Sequence, residues 1–354
     1  MSGAPSPPRS DWRELAEEVW YGRHPLALAL APLGWMYAAA VGMRRVLYRA
    51  GALPRRRVSA PVIVVGNICV GGTGKTPLVI WIARHLRAAG LSPGVVCRGY
   101  GGAARIWPQQ VRADSDPVMV GDEAILLARH TGCPVAAAGS ERAAAARALV
   151  TQQHCDIVVS DDGLQHLELC RDIEIAVLDG VRRHGNGRCL PAGPLREPRG
   201  RLRRVDFVVA KGLAGRGEIE MRLAPGSAVS VGESGISRAL SEFRGAVVHA
   251  LCGIGNPRGF FTMLTSSGIE IVPHEFPDHH RFSADDIVFR DGRPVLMTEK
   301  DAVKCTSFAD TRHWYVPVEA ILPADFEGAL CARLVERAPQ LAHSLRGAAA
   351  GTAD

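Results

Sequence analysis

Val62-Ile63-Val64-Val65-Gly66-Asn67-Ile68-Cys69-Val70-Gly71-Gly72-Thr73-Gly74-Lys75-Thr76, followed by an apolar-periodic segment from Pro77 to Leu86, orders a strand, a glycine-rich turn and a helix. That is the layout of a phosphate-binding P-loop. The glycines let backbone amides point at phosphate oxygens, Lys75 reaches the β- and γ-phosphates, and the Thr76 hydroxyl is placed to ligate Mg²⁺. Gly71, Gly72, Thr73, Gly74, Lys75 and Thr76 are therefore the expected nucleotide contacts. The strict pattern asks for glycine five positions before Gly74, where this chain carries Cys69, so a variant loop geometry is expected. The competing reading is a glycine-rich strand-to-helix turn with an incidental lysine.

Around this stretch, 354 residues at 47% apolar content suffice for two domains with ordinary cores and exclude a disordered or fibrous chain. The formal charge of +6 comes from 42 basic and 36 acidic residues. It is uneven, with arginine clusters at 44–57 and 196–204. Such patches suit anionic lipid, a phosphorylated substrate or nucleic acid, or simply form a solvated face. Nucleic acid ranks lowest, because the clusters lack interleaved aromatics. Nine scattered cysteines with no Cys-x-x-Cys pair argue against a disulfide framework and a zinc site, and point to a reducing cytoplasmic setting. No cleavable signal is expected.

Residues 1–11 are rich in Pro and Ser and are expected to be flexible. Pro25–Met43 is a run of nineteen uncharged residues, interrupted by Pro32 and Gly34 and followed by Arg44, Arg45 and Arg49. We expect a helix lying on, or half inserted into, a membrane surface; a full span and a buried helix are the alternatives. After the P-loop helix, which stops at Gly90, Pro93–Cys97 reads as a strand ending in Arg98-Gly99-Tyr100-Gly101-Gly102. Residues 103–120 look irregular. Asp122 and Glu123 then precede an apolar helix, where Asp122 either caps the helix or serves metal or proton transfer. An alanine-rich helix over 140–153 carries Arg142. The strand Asp156–Ser160 ends in Asp161-Asp162, where a phosphoryl-transfer fold keeps the carboxylate for Mg²⁺. Strands at Ile173–Leu178 and Phe207–Ala210 flank a proline-rich loop containing Arg196. The alternation predicts an α/β fold, a parallel sheet flanked by helices, with the P-loop, Tyr100, Asp161, Asp162 and Arg196 at one set of strand ends.

From about residue 213 a linker is expected. A second α/β unit follows, with a strand at Ala246–Leu251, the paired His279 and His280, and a strand at Pro294–Met297 leading into Thr298-Glu299-Lys300-Asp301. Residues beyond about 340 read as frayed. The expected organisation is an N-terminal membrane-associated segment (1–60), a P-loop domain (61–225), a smaller C-terminal α/β domain (226–340) and a disordered tail (341–354).

Gly71-Gly72-Thr73-Gly74-Lys75-Thr76-Pro77, Arg98-Gly99-Tyr100, Gly121-Asp122-Glu123, Asp161-Asp162-Gly163-Leu164-Gln165-His166, Pro191-Ala192-Gly193-Pro194-Leu195-Arg196-Glu197-Pro198, Asp278-His279-His280 and Thr298-Glu299-Lys300-Asp301-Ala302 together resemble the tetraacyldisaccharide 4′-kinase family, in that family's order, over residues 20 to about 320. The resemblance implies a P-loop lipid kinase on the cytoplasmic face of the bacterial inner membrane. It would transfer the γ-phosphoryl group of ATP to the 4′-hydroxyl of a tetraacylated glucosamine disaccharide 1-phosphate, forming lipid IVA in lipid A biosynthesis. ATP and Mg²⁺ are the implied cofactors. The partners are the lipid-linked substrate and an anionic membrane surface, with no nucleic acid and no obligate protein partner. Carried over by motif, Lys75 and Thr76 hold phosphates and metal, and Asp161 and Asp162 serve the metal. Asp122 is the base, paired with His279 in preference to His280, and domain closure is expected to assemble that pair. Tyr100, Arg142, Arg196 and Glu197 surround nucleotide and substrate.

Overall fold

The computed structural model describes residues 11–233 and 235–345; the proline-rich start, apart from Asp11, and the end of the expected tail lie outside this range. The chain opens with three helices, α1 (Asp11–Tyr21), α2 (Leu26–Ala29) and α3 (Ala31–Arg49). Pro32 does not break α3, because it occupies its first turn, where its missing N–H has no partner to lose. Gly34 does not break it either. A Cβ there would stand 2.9 Å from the Cys189 carbonyl oxygen, so Gly34 is the point where the helix lies close against the 189–192 loop. Ala31 and Gly34 are buried, while Leu33, Met36, Met43 and Leu47 are exposed along the opposite side. Among the described residues no helix is long and apolar enough to cross a membrane.

Next come β1 (Val62–Gly66), α4 (Lys75–Ala88), β2 (Pro93–Cys97), β3 (Gln109–Val111), α5 (Pro117–Val120), α6 (Asp122–Thr131), β4 (Val135–Ala137), α7 (Arg142–Gln152), β5 (Ile157–Ser160), β6 (Ile173–Asp179), β7 (Phe207–Lys211) and β8 (Ile219–Pro225). The stretch 103–120, expected to be irregular, therefore holds β3 and α5. The expected linker after 213 contains β8, which pairs in parallel with β7. The remaining elements are β9 (Ala228–Ser230), β10 (Ser237–Arg238), β11 (Val247–Cys252), α8 (Pro257–Ser266), β12 (Glu270–Glu275), α9 (Ala284–Ile287), β13 (Val295–Thr298), α10 (Glu299–Cys305), β14 (His313–Val316), β15 (Val318–Ile321) and α11 (Ala324–Arg337).

Among the described residues two sheets form, one of nine strands in the order β15-β8-β7-β6-β1-β5-β2-β4-β3 and one of six in the order β10-β9-β14-β13-β11-β12. The larger is parallel except for β3 against β4 and β15 against β8. Its central strands are covered on both faces, which is why β1 is apolar throughout and every residue of it is buried. Ile63 and Val65 face the core under α4 and α6, and Val62 and Val64 face the core under α7. Each such side chain contributes about 1.5–3 kcal/mol relative to exposure. The segment expected as one C-terminal unit supplies parts of both sheets: β15 returns to pair with β8, and α11 packs Phe326, Leu330 and Leu334 into the first core. Leu341 and Leu345 are buried there too, so the expected tail does not begin at 341.

Candidate active site

The P-loop leaves β1 and enters α4 through Gly74, whose φ of +87° needs no Cβ. No side chain caps α4, so its amino-terminal amides remain free to bind an anion. Cys69 fits this loop because it points inward. Its thiol donates to the Arg183 carbonyl at 3.4 Å, it packs with Ile68, Leu178 and Leu195, and burial pushes the thiol up to about 11. Asn67, which the sequence reading passed over, is fully buried and ties the loop together, its amide donating to the Gly71 carbonyl and to Thr73 Oγ1.

Beyond β5 the two aspartates divide. Asp161 is 3% exposed and accepts from Thr76 Oγ1 at 3.3 Å, while its Oδ1 is buried with no hydrogen-bond partner. Burial, reinforced by Glu123, raises its carboxyl to about 7. Asp162 meets Lys75 Nζ at 3.5 Å and Arg196 Nη1 at 3.2 Å. Burial pushes its carboxyl upward, but Lys75, Arg196 and Arg142 outweigh it and hold it at about 2. The orphaned Asp161 oxygen beside the Thr76 hydroxyl fits a hard cation. No group of three or more His, Cys, Asp or Glu among the described residues could hold a metal ion by itself.

Facing these groups is α6. A Cβ on Gly121 would sit 2.5 Å from the Tyr100 carbonyl oxygen, so only glycine lets α6 start against the Tyr100 turn. Asp122 is 5% exposed. It is not a cap; its Oδ1 accepts from its neighbour Glu123 N at 2.8 Å and its Oδ2 lies 3.2 Å from His279 Nδ1. Burial raises the Asp122 carboxyl, but the His279 hydrogen bond and the charges of Lys300, His279 and Lys304 prevail and hold it below the ordinary carboxylate value. The pair joins the two sheets' loops and is already formed. His280 turns away to Asp286 and packs with Phe276 and Phe282, which separates the two histidines. Among the described residues four non-glycines have left-handed φ, and Asp162 and His279 are two of them. Such backbone costs energy and clusters at functional sites.

Two lysines that the sequence reading did not single out complete this side. Lys300 Nζ lies 3.1 Å from Glu123, 3.3 Å from Asp278 and 3.4 Å from His279 Nε2. Burial lowers it, but Glu123, Asp122 and Asp278 more than compensate and keep it firmly cationic. A neutral His279 ring that accepts from this ammonium at Nε2 carries its proton on Nδ1 and donates it to Asp122; Nε2 also lies 3.7 Å from Asp278 Oδ1. Lys304 stands 3.0 Å from Asp301 and 3.8 Å from Asp122.

The structure brings Lys75, Thr76, Asp161, Asp162, Arg196, Tyr100, Asp122 and His279 together at the carboxyl ends of the strands; the Tyr100 ring lies 4.6 Å from that of His279. It does not bring Arg142 or Glu197 to an open surface, since each is 2% exposed. Arg142 lies beneath the aspartates, donating to Ser160 Oγ and to the Asp161 carbonyl. Glu197 is taken by Arg45 at 2.7 Å and Gln165 at 2.8 Å. Both therefore brace the site from below, which corrects the expectation that they contact substrate.

A protein-family model described as tetraacyldisaccharide-1-P 4′-kinase matches residues 26–335. A tetraacyldisaccharide 4′-kinase from Nitrosococcus oceani is 50% identical over 329 residues, 93% of this chain and 96% of that protein. One from Alkalilimnicola ehrlichii is 52% identical over 304 residues, 85% of this chain and 91% of that protein. The crystal structure of the "apo" form of LpxK from Aquifex aeolicus in complex with ATP is similar with a TM-score of 0.72 at 25% identity, covering 87% of this chain and 99% of that one.

Proposed function

The chain belongs to the tetraacyldisaccharide 4′-kinase family, and we propose from that premise that the cleft between the P-loop and the Asp122–His279 pair is its catalytic centre. The enzyme transfers the γ-phosphoryl group of ATP to the 4′-hydroxyl of a tetraacylated glucosamine disaccharide 1-phosphate, forming lipid IVA in lipid A biosynthesis. The observation that carries the assignment of the cleft is the 3.2 Å contact between Asp122 and His279. A sugar hydroxyl is a weak nucleophile, and an ionised carboxylate within reach accepts its proton as oxygen bonds to phosphorus and ADP departs. His279, fixed as the Nδ1–H tautomer, orients that carboxylate, as the third group of a triad orients its base. Lys75 and the uncapped amides of α4 steady the phosphates. Thr76, Asp161 and Asp162 would hold Mg²⁺, which when bound neutralises charge on the transferring group. Tyr100 and Arg196 border the acceptor and nucleotide.

The exposed apolar side of α3, with the arginines that follow it, supports a surface-bound position on the cytoplasmic face of the inner membrane. The test of the whole reading is transfer of labelled γ-phosphate to the acylated disaccharide 1-phosphate. Label at the 4′ position is expected; label recovered only as inorganic phosphate would overturn the reading.

Lys300 gives a sharper check of the tautomer. Lys300→Met is expected to lower kcat by about 10²-fold, the scale of a misplaced catalytic group, with KM for ATP unchanged. In ¹⁵N spectra of ring-labelled histidine, Nδ1 of His279 should lose its fixed proton in this variant, whereas Lys300→Arg should keep both signal and activity. Unchanged spectra in the Met variant would count against the assignment.

A further inference from the structure

At the carboxyl end of α3 lies a cavity of about 170 Å³ lined by Arg45, Arg49, Arg55 and Arg171, with Tyr48 and Glu174. The arginines are not an ordinary solvated cluster. The side chains of Arg45 and Arg171 are 15% and 8% exposed, and Arg201 behind them is 2% exposed. Two carboxylates serve this group: Glu174 is shared by Arg171 and Arg201, and Glu197 by Arg45 and Arg201. Three buried guanidiniums against these two carboxylates leave an excess of one positive charge, to which the exposed Arg49 and Arg55 add. Arg49 and Arg55 make no ion pair among the described residues, and Arg201 Nη1 is buried without a hydrogen-bond partner. Withdrawing cations from water without matching anions is unfavourable by several kcal/mol per ion. Burial lowers the pKa of Arg45, and Arg201 and Arg49 add to that; burial likewise lowers that of Arg171, with Arg201 and Arg55 adding. An anion in the cavity would offset the charge of the arginines that line it. Guanidinium forks match phosphate oxygens two at a time. The cavity is half-open to solvent and has room for a phosphate group.

We propose that this cavity is a binding subsite for a phosphate group carried on a lipid. The lipid source follows from position: Val46, exposed on the last turns of α3, stands three residues before Arg49, a neighbouring place on the helix surface. That step rests on the proposed membrane-facing role of α3. The phosphate belongs either to the 1-position of the acceptor disaccharide or to an anionic phospholipid headgroup.

The test uses the full-length enzyme with Arg49→Gln and Arg55→Gln combined, two exposed residues outside the catalytic cleft. Arg56→Gln with Arg57→Gln, which removes the same charge outside the cavity, serves as control. In detergent micelles, a 1-phosphate subsite predicts that KM for the acceptor rises about 10- to 10²-fold, the scale of lost charge-assisted hydrogen bonds, with kcat and the KM for ATP unchanged. An acceptor lacking the 1-phosphate should then show no such rise. A headgroup subsite predicts unchanged micellar kinetics and a loss of at least about 10-fold in the preference for vesicles containing phosphatidylglycerol over phosphatidylcholine alone. Either result supports the proposal if the control pair does not reproduce it. No change in both assays, or an equal change in the control, overturns it. Failure of the α3 reading is seen separately: Leu33→Glu with Met36→Glu would then leave vesicle binding intact, while the micellar result stands.

Discussion

Asp122→Asn is expected to lower kcat by about 10²–10⁴-fold, the range a positioned general base contributes, while the affinity for ATP stays that of the wild type. The substitution removes basicity with little change of shape. Asn keeps an oxygen to accept the Glu123 amide at the 2.8 Å position and keeps the volume of a side chain that is 5% exposed; it loses the ability to take a proton and, with it, the charged acceptor that faces His279 Nδ1. Single-turnover transfer from labelled ATP measures the loss, and nucleotide titration checks that the P-loop side is intact. Turnover within about 3-fold of wild type would remove Asp122 from the role of base, because general-base catalysis is not worth so little. The sign of the pH effect is also fixed. The carboxyl is held below its ordinary value, so its contribution to stability is present above the unfolded-state pKa and is lost as pH falls through the lower, folded-state value. Any difference in Tm between wild type and Asp122→Asn from this source should therefore shrink with acidification below the usual carboxylate range.

How far the sequence could be read depended on how local the signal was. The β1–loop–α4 unit was legible because apolar run, glycines and helix start lie within twenty-five residues. Asp161 and Asp162 were legible because they end an apolar strand. The short strand β4 (Val-Ala-Ala) carries too little pattern to stand out, and β12 contains Pro273 and is only partly buried, as an edge strand can be. β8 was taken for linker because only Met221 of its seven residues is fully buried. The return of β15 and α11 to the first sheet is a matter of long-range pairing that no local pattern encodes.

The site divides in the same way. Asp122 and His279 are 157 residues apart; residue types alone left Asp122 as cap or acid, and only resemblance joined it to a histidine. Arg142 and Glu197 were misplaced because a charged residue in a motif reads as exposed, whereas here the two are buried supports. Lys300 lay inside a quoted motif and Lys304 two residues beyond it, yet both were missed, since their role exists only once α10 packs against α6 and brings them to Glu123 and Asp122.

Lys75→Met is expected to reduce kcat by about 10²–10³-fold or more, the cost of removing one donor from a developing charge. The resting geometry makes this a test of chemistry rather than of folding. Without phosphates Lys75 Nζ rests 3.5 Å from Asp162 Oδ1, and Arg196 Nη1 lies at 3.2 Å from the same oxygen. Deleting the ammonium therefore leaves Asp162 with a cationic partner instead of an orphaned buried charge, and the loop, held from behind by Asn67, keeps its shape. A lysine that merely bound ground-state ATP would, when lost, raise KM for ATP and spare kcat at saturation; one that follows charge onto the transferring group lowers kcat itself. Rates at saturating ATP separate these outcomes. A kcat within about 3-fold of wild type, with only KM raised, would confine Lys75 to binding and shift transition-state stabilisation onto Arg196 and the amides of α4.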